Sequence, residues 1–327
     1  MTSLQNTLHL GGLHHVSAIT SDARANLDFY TGILGVRLVK KTVNQDDVSA
    51  YHLFYADELG SPGTELTFFE WKPIQKARPG GGVVTETAFR VRGDEATLQL
   101  WSQWLGRNGV RRGAIEPGTA TRLPSLPFHD PEGLSLRLIA EPHAAGNGAF
   151  HPWNGSPIPG QAAIVGLSEV TLNVPNAGAT GALLSDALGF RVHPDDPSLF
   201  ETGPGGPGAQ LRLYETTTPG APGGGGVHHV AWRVADDAAI RAWEARLAEK
   251  RVRTSGLIDR FYFRSLYFRI PGGILFEIAT DGPGFTADGE TVDRLGERLS
   301  LPPFLEHARE RIEAGLEPLA TPAPHHE

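Results

Sequence analysis

G-L-H-H-V-S-A-I-T (residues 12–20) and V-H-H-V-A-W-R-V (residues 227–234) decide the reading of this chain, because each sets a doubled histidine in an alternating apolar segment that predicts a β-strand. Two further stretches read the same way. V-T-E-T-A-F-R-V (84–91) shares the ending Ala–aromatic–Arg–Val with the second, and G-L-S-E-V-T-L-N-V (166–174) parallels the first. Four matching strand openings make an internal repeat, which has to be settled before any fold is assigned.

Each opening is followed by a helical pattern. Asp22 caps a helix whose Leu27, Tyr30 and Leu34 fall at helical spacing before Gly35 stops it, and Leu188-Gly189-Phe190-Arg191-Val192 mirrors Leu34-Gly35-Val36-Arg37-Leu38. The second and fourth units share the stripe Leu98, Trp101, Leu105 and Ile240, Trp243, Leu247. Short strands close each unit, with similar turns at Asp130-Pro131-Glu132-Gly133 and Pro271-Gly272-Gly273. The unit is β-α-β-β-β and the fold class α+β. The expected layout is an N-terminal half over 8–140 with modules one and two, a Gly/Pro/Ala-rich linker over 141–161, a C-terminal half over 162–282 with modules three and four, and an extension over 283–327. Within the extension a helix is expected over 304–314, docking on a second copy in a homo-oligomer.

Composition narrows the chemistry. The chain has 327 residues, which agrees with about two domains, and 40 Gly with 25 Pro, which suits short elements and tight turns. It contains no cysteine, so thiol nucleophiles, iron–sulfur clusters and Cys-type zinc sites are excluded. A net charge of −8 opposes binding to nucleic-acid backbones. No apolar run is long enough for a membrane span and no secretory signal is present, so a cytoplasmic protein with small-molecule partners is expected.

The doubled histidines His14-His15 and His228-His229 occupy matching positions in units one and four. Strand alternation lets one histidine of each pair look into a shared cavity while its neighbour supports it from behind or the side. Counting six residues on from the closing prolines gives Glu277 in unit four, Arg137 in unit two and Phe68 in unit one. Glu277, flanked by Leu275, Phe276 and Ile278, requires a cation or a partner such as Arg260 or Arg269, because a buried carboxylate costs several kcal/mol when unpaired. Two His and one Glu at these places form a facial metal triad, and their positions require unit one to pack on unit four as a metal cup. In units two and three, Glu86, Glu169 and Arg137 predict an ion-pair cluster that needs no metal. With Phe68 in place of a fourth ligand, and Glu70 the one rescue, three donors favour Fe(II) and O2 chemistry over isomerisation. Asp57 and Glu58 read as loop caps, and His325-His326-Glu327 as a tail.

The chain resembles the vicinal oxygen chelate superfamily (glyoxalase, bleomycin resistance, extradiol dioxygenase) over about residues 10–282. The runs L-H-H-V-S-A-I-T, Y-H-L-F-Y-A-D-E-L-G-S-P-G-T (51–64), V-H-H-V-A-W and Y-F-R-I-P-G-G-I-L-F-E-I-A-T, in this order, look like the ring-cleaving dioxygenases that act on hydroquinones. The resemblance implies His15, His229 and Glu277 as iron ligands, with His14, His228, Arg260 and Tyr267 lining the pocket and Ser17 as the small hydroxyl residue near the first ligand. Arg260 would stabilise negative charge and Tyr267 or His228 would move a proton. The implied reaction is Fe(II)-dependent cleavage of a diphenol ring by O2, with an extradiol catechol dioxygenase as near neighbour. Two other readings keep the fold: a glyoxalase-like Zn2+ or Ni2+ isomerase or lyase, which needs a fourth ligand, and a metal-free binding or resistance protein, which has no use for the triad.

Overall fold

The repeat becomes four β-rich units in a computed structural model that describes residues 8–142 and 151–321. Part of the linker (143–150) and the His325-His326-Glu327 tail lie outside the described residues. Unit one runs β1 (Leu13–Thr20), α1 (Ala23–Gly32), β2 (Arg37–Asn44), β3 (Asp47–Ala56) and β4 (Glu65–Glu70). Unit two holds β5 (Val83–Arg92), α2 (Glu95–Arg107), β6 (Ser125–His129) and β7 (Ser135–Glu141). Unit three holds β8 (Ile164–Val174), α3 (Ala177–Asp186), β9 (Arg191–His193), β10 (Asp196–Glu201) and β11 (Gln210–Glu215). Unit four holds β12 (Gly226–Val234), α4 (Asp237–Glu249), β13 (Thr254–Asp259), β14 (Phe263–Arg269) and β15 (Leu275–Pro283).

Unit two is one strand short of the expected pattern. Between α2 and β6 only the isolated bridges Arg112–Phe128 and Glu116–Ser125 form, because Gly113, Pro117, Gly118 and Pro124 interrupt a continuous ladder. The four module helices share one start signal: Asp22, Asp94, Asn176 and Asp236 each accept a hydrogen bond from a backbone N–H of the first turn. The predicted stripes are inside, with Leu98, Trp101, Leu105, Ile240, Trp243 and Leu247 all buried. Each such side chain contributes about 2 kcal/mol of burial.

The strands form two sheets. The larger has the order β13-β14-β15-β12-β1-β4-β3-β2 and joins units one and four; the other, β6-β7-β5-β8-β11-β10-β9, joins units two and three. The sheets meet where glycine removes a side chain. Gly12 has φ +110°, and a Cβ there would lie 2.6 Å from the Gly208 carbonyl oxygen, while Leu13 N–H donates to that oxygen at 2.7 Å. Gly166 repeats the device against Gly63, with Leu167 N–H donating to the Gly63 carbonyl at 2.8 Å.

The extension folds back on its own chain. The helix expected over 304–314 is a 3-10 segment, Pro303–Ala308, followed by α5 (Arg309–Gly315), and the tail beyond it receives hydrogen bonds from Tyr51 Oη and Lys41 Nζ at the carbonyls of Glu317 and Leu319. These bonds tie the tail to unit one of the same chain. Fully buried Lys40 on β2 fixes the start of the extension: Nζ donates to Asp288 at 2.8 Å and to Glu290, and lies 5.1 Å from the Tyr262 ring centroid. Removing one member of a buried ion cluster strands the others, at about 3 kcal/mol or more. Lys40→Ala is expected to lower the urea-unfolding free energy by about 3 kcal/mol; a loss below about 1 kcal/mol would show that the cluster does not anchor the extension.

Candidate metal centre

Antiparallel pairing of β1 with β12 sets His15 opposite Ala231 and Ser17 opposite His229, so the two histidines are related by a local twofold through the pair. β15 lies parallel to β12 with Glu277 beside Ala231. The three side chains converge: His15 Nε2 and His229 Nε2 are 3.2 Å apart, and Glu277 Oε2 lies 3.2 and 3.0 Å from them. Donors held about 2.1 Å from one cation at right angles are separated by about 3.0 Å, so the spacing suits a shared metal. All three residues are buried, and Glu277 pairs with neither Arg260 nor Arg269.

The tautomers follow from the outer partners. His14 Nε2 donates to the Thr280 carbonyl at 3.1 Å, which leaves His14 Nδ1 as an acceptor for His15 Nδ1–H at 2.9 Å. A neutral His15 with its proton so placed presents the Nε2 lone pair to the centre. His228 and His229 repeat the Nδ1 to Nδ1 contact at 2.7 Å. Burial, then the neighbouring imidazole, holds His14 and His228 down to about 3, so both are neutral. Neither Glu277 oxygen accepts a hydrogen bond despite the short distances, because the imidazole atoms facing it carry lone pairs. Three converging lone pairs, buried and without a donor, fit a divalent cation.

Above the triad lies a cavity of about 310 Å³ lined by His15 and His229, with His228, Arg260 and Tyr267 also at its surface. Phe54, Phe69, Trp71 and Phe263 supply aromatic walls, and His52, absent from the sequence reading, is a further lining residue. The structure does not bring His14 or Ser17 to this cavity. His14 occupies a bulge in β1 and turns to Thr280, whereas Ser17 Oγ is buried against Thr67 Oγ1 at 2.7 Å. Arg260 Nη2 donates to Asp46 at 2.9 Å and Nε to Tyr267 Oη at 3.4 Å. Burial and Glu277 raise the Tyr267 phenol, so it keeps its proton.

The unit-one counterpart of Glu277 is Thr67, paired with Ser17, and not Phe68, which points into the core. Glu70 offers no fourth ligand: it accepts from Ala23 N–H at the start of α1 and pairs with Lys72. In the other sheet the equivalent places hold Glu86, Glu169, Arg137 and Arg212. Arg137 grips Glu86 at 2.8 and 3.0 Å, and Arg212 reaches Glu169 at 3.1 Å. Arg212 and a further partner of Glu169, Arg122, escaped the sequence reading, although Leu-Arg-Leu in both β7 and β11 carried the signal for the first.

Because the folded pKa of His14 lies below the unfolded value, the folded protein binds fewer protons in that window, and stability present above about 6.5 is lost as pH falls toward 3. For metal-free His14→Asn the fall of unfolding free energy between pH 6.5 and 4 is expected to be shallower by up to about 1.4 kcal/mol per pH unit. Urea titrations at several pH values test this, and parallel curves for the two proteins would contradict it.

The Glyoxalase/Bleomycin resistance protein/Dioxygenase superfamily model matches residues 12–138 and 166–278. A Bacillus subtilis (strain 168) protein named "Putative ring-cleaving dioxygenase MhqA" is 41% identical over 95% of this chain and 100% of its own. The chlorohydroquinone/hydroquinone 1,2-dioxygenase of Sphingobium indicum is 30% identical over 92% of this chain and 94% of its own. Among solved structures, a "putative dioxygenase" from Bacillus subtilis superposes with a TM-score of 0.86 at 34% identity, covering 96% of this chain and 98% of that one. Glyoxalase I from Zea mays, at 17% identity and a TM-score of 0.56 over 83% of this chain and 92% of its own, shares the fold. The chain therefore belongs to the glyoxalase/bleomycin resistance protein/dioxygenase superfamily.

Proposed function

We propose that the chain is an Fe(II)-dependent ring-cleaving dioxygenase acting on hydroquinone-type aromatics, with His15, His229 and Glu277 as the metal ligands. The observation that carries this reading is the buried, convergent 2-His-1-carboxylate set with Thr67 in the fourth place. Three protein donors on one face suit non-haem iron that must take substrate and O2 together. The 41% and 30% identical relatives, named for ring cleavage, support the reaction class. When bound, Fe(II) supplies the electron transfer that makes O2 reactive toward the ring.

The remaining roles belong to this chain's own side chains. Phe54, Phe69, Trp71 and Phe263 enclose a space that suits one aromatic ring and exclude water from it. Arg260 and Tyr267 are hydrogen-bond donors in the protonation states their surroundings impose. His228 joins them: with His229 Nε2 given to the metal, His229 Nδ1–H donates to His228 Nδ1, and the neutral His228 ring carries its proton on Nε2. Three donors around one oxygen favour its ionised form and the negative charge that develops as the ring is attacked. His228 would pass its Nε2 proton to the product side, whereas His14 works from behind by fixing the His15 tautomer.

The test is anaerobic loading with Fe(II), followed by O2 uptake with hydroquinones and catechols. Glu277→Ala is expected to lose bound iron and at least a hundredfold of the uptake, and Arg260→Ala to lose uptake while retaining iron. No uptake by the wild type with any diphenol, or undiminished uptake in Glu277→Ala, would sink the proposal.

A further inference from the structure

His52 is the one imidazole at the cavity that the preceding scheme leaves idle, yet its surroundings fix it firmly. It sits on β3, pairs with Phe69 of β4, and has its ring 4.0 Å from those of both Phe54 and Phe69. Its Nε2 contacts Thr67 Oγ1 at 3.1 Å, and Thr67 in turn contacts Ser17 at 2.7 Å. Two flanking rings and one hydrogen bond hold the imidazole in a single orientation, so little entropy remains to be lost when a ligand meets it. Among the described residues, its Nδ1 has no hydrogen-bond partner. Whichever way the protons run along Ser17, Thr67 and His52, Nδ1 keeps either a lone pair or a proton to offer.

His52 lies outside the group formed by His15, His229 and Glu277. Phe69 stands between His52 and that group, with its ring 4.0 Å from that of His52 and 6.4 Å from that of His229. In the sheet order, β4 likewise separates β3 from β1, which carries His15. A ring seated against Phe69 with one oxygen at the triad would carry its opposite oxygen toward His52. A 1,2-diol would place both oxygens at the triad and leave His52 unused. A 1,4-diol places one at each end.

We infer that His52 receives the ring oxygen remote from the metal and so tunes the site for 1,4-diols over phenols that lack a second oxygen. The inference rests on the dioxygenase reading for the location of the first oxygen, but its test does not depend on turnover. Fe(II)-loaded protein under anaerobic conditions is titrated calorimetrically with hydroquinone and with phenol, for the wild type, His52→Phe and His52→Gln. Losing one neutral hydrogen bond corresponds to about a fivefold change in affinity. The wild type is expected to bind hydroquinone at least about fivefold tighter than phenol. That ratio should fall toward one in His52→Phe, which keeps the ring stack, and be largely kept in His52→Gln, which retains a polar group.

A wild type that does not distinguish the two ligands, or an unchanged ratio in His52→Phe, overturns the assignment. The wild-type comparison stands even when a variant fails to fold, which circular dichroism would reveal. O2 uptake is read separately with the wild type. Preferential binding that depends on His52, without uptake on either ligand, would remove the reaction and leave the subsite.

Discussion

Everything at the candidate site depends on how β1 meets β12. The two strands run antiparallel with His15 opposite Ala231 and Ser17 opposite His229, and this register brings two imidazoles from opposite ends of the chain to within 3.2 Å. A slip of one residue would turn either histidine to the other face of the sheet. The bulge at His14 adds a second control: the extra residue lets His14 stand beside His15 and hold its Nδ1, where regular alternation would send it away. One irregularity in one strand thus fixes both a ligand and its tautomer.

The other sheet shows what the same lattice does without a metal. β5 and β8 repeat the arrangement, with Glu86 opposite Thr171 and Ala88 opposite Glu169. Carboxylates replace the histidines, Arg137 replaces Glu277 and Arg212 replaces Thr67. Glu86 and Glu169 are paired with Arg137, Arg212 and Arg122, which in turn reach Glu116 and Asp196, so the charges are matched within the protein. The triad has the opposite character, since two imidazoles and a carboxylate bring a negative charge with no guanidinium to balance it. Burial makes that difference decisive: the first set is complete in itself, and the second calls for a cation.

Much of this was legible in the sequence because the repeat writes its strand openings in similar words. The helical stripes and the late Glu277 lie where the patterns place them, whereas the doubled histidines depart from strict alternation: shifts in the β1–β12 ladder set His14 beside His15 and bring both His228 and His229 to the cavity. The closing strands were harder. Counting six residues from the proline works in units two and four, giving Arg137 and Glu277, but the turn after Pro62 and Pro207 is one residue shorter, so the true counterparts are Thr67 and Arg212. Proline marks a turn without fixing the register beyond it. His52 and Asp46 were not legible for a different reason: they belong to the β2–β3 hairpin, and nothing local says that this hairpin meets the β13–β14 turn of the last unit.

That meeting also explains the extension beyond unit four. Arg260 is clasped by Asp46, and Gln45 donates to the Arg260 carbonyl at 2.8 Å, so the rims of units one and four are tied at the cavity mouth. The next residue, Phe261, has φ +71°, an uncommon state for a bulky side chain that surrounding structure must enforce. Tyr262 follows, lining the cavity while its hydroxyl donates to Asp288 at 3.0 Å. Asp288 in turn holds Lys40 on β2, and Phe285 packs on Phe54 and Tyr262. The chain leaves β15, wraps the side of the cup and supplies the counter-charges of a fully buried lysine beside the aromatic wall. The repeat therefore provides the floor with its three ligands, and the non-repeating extension braces the wall that stands over it.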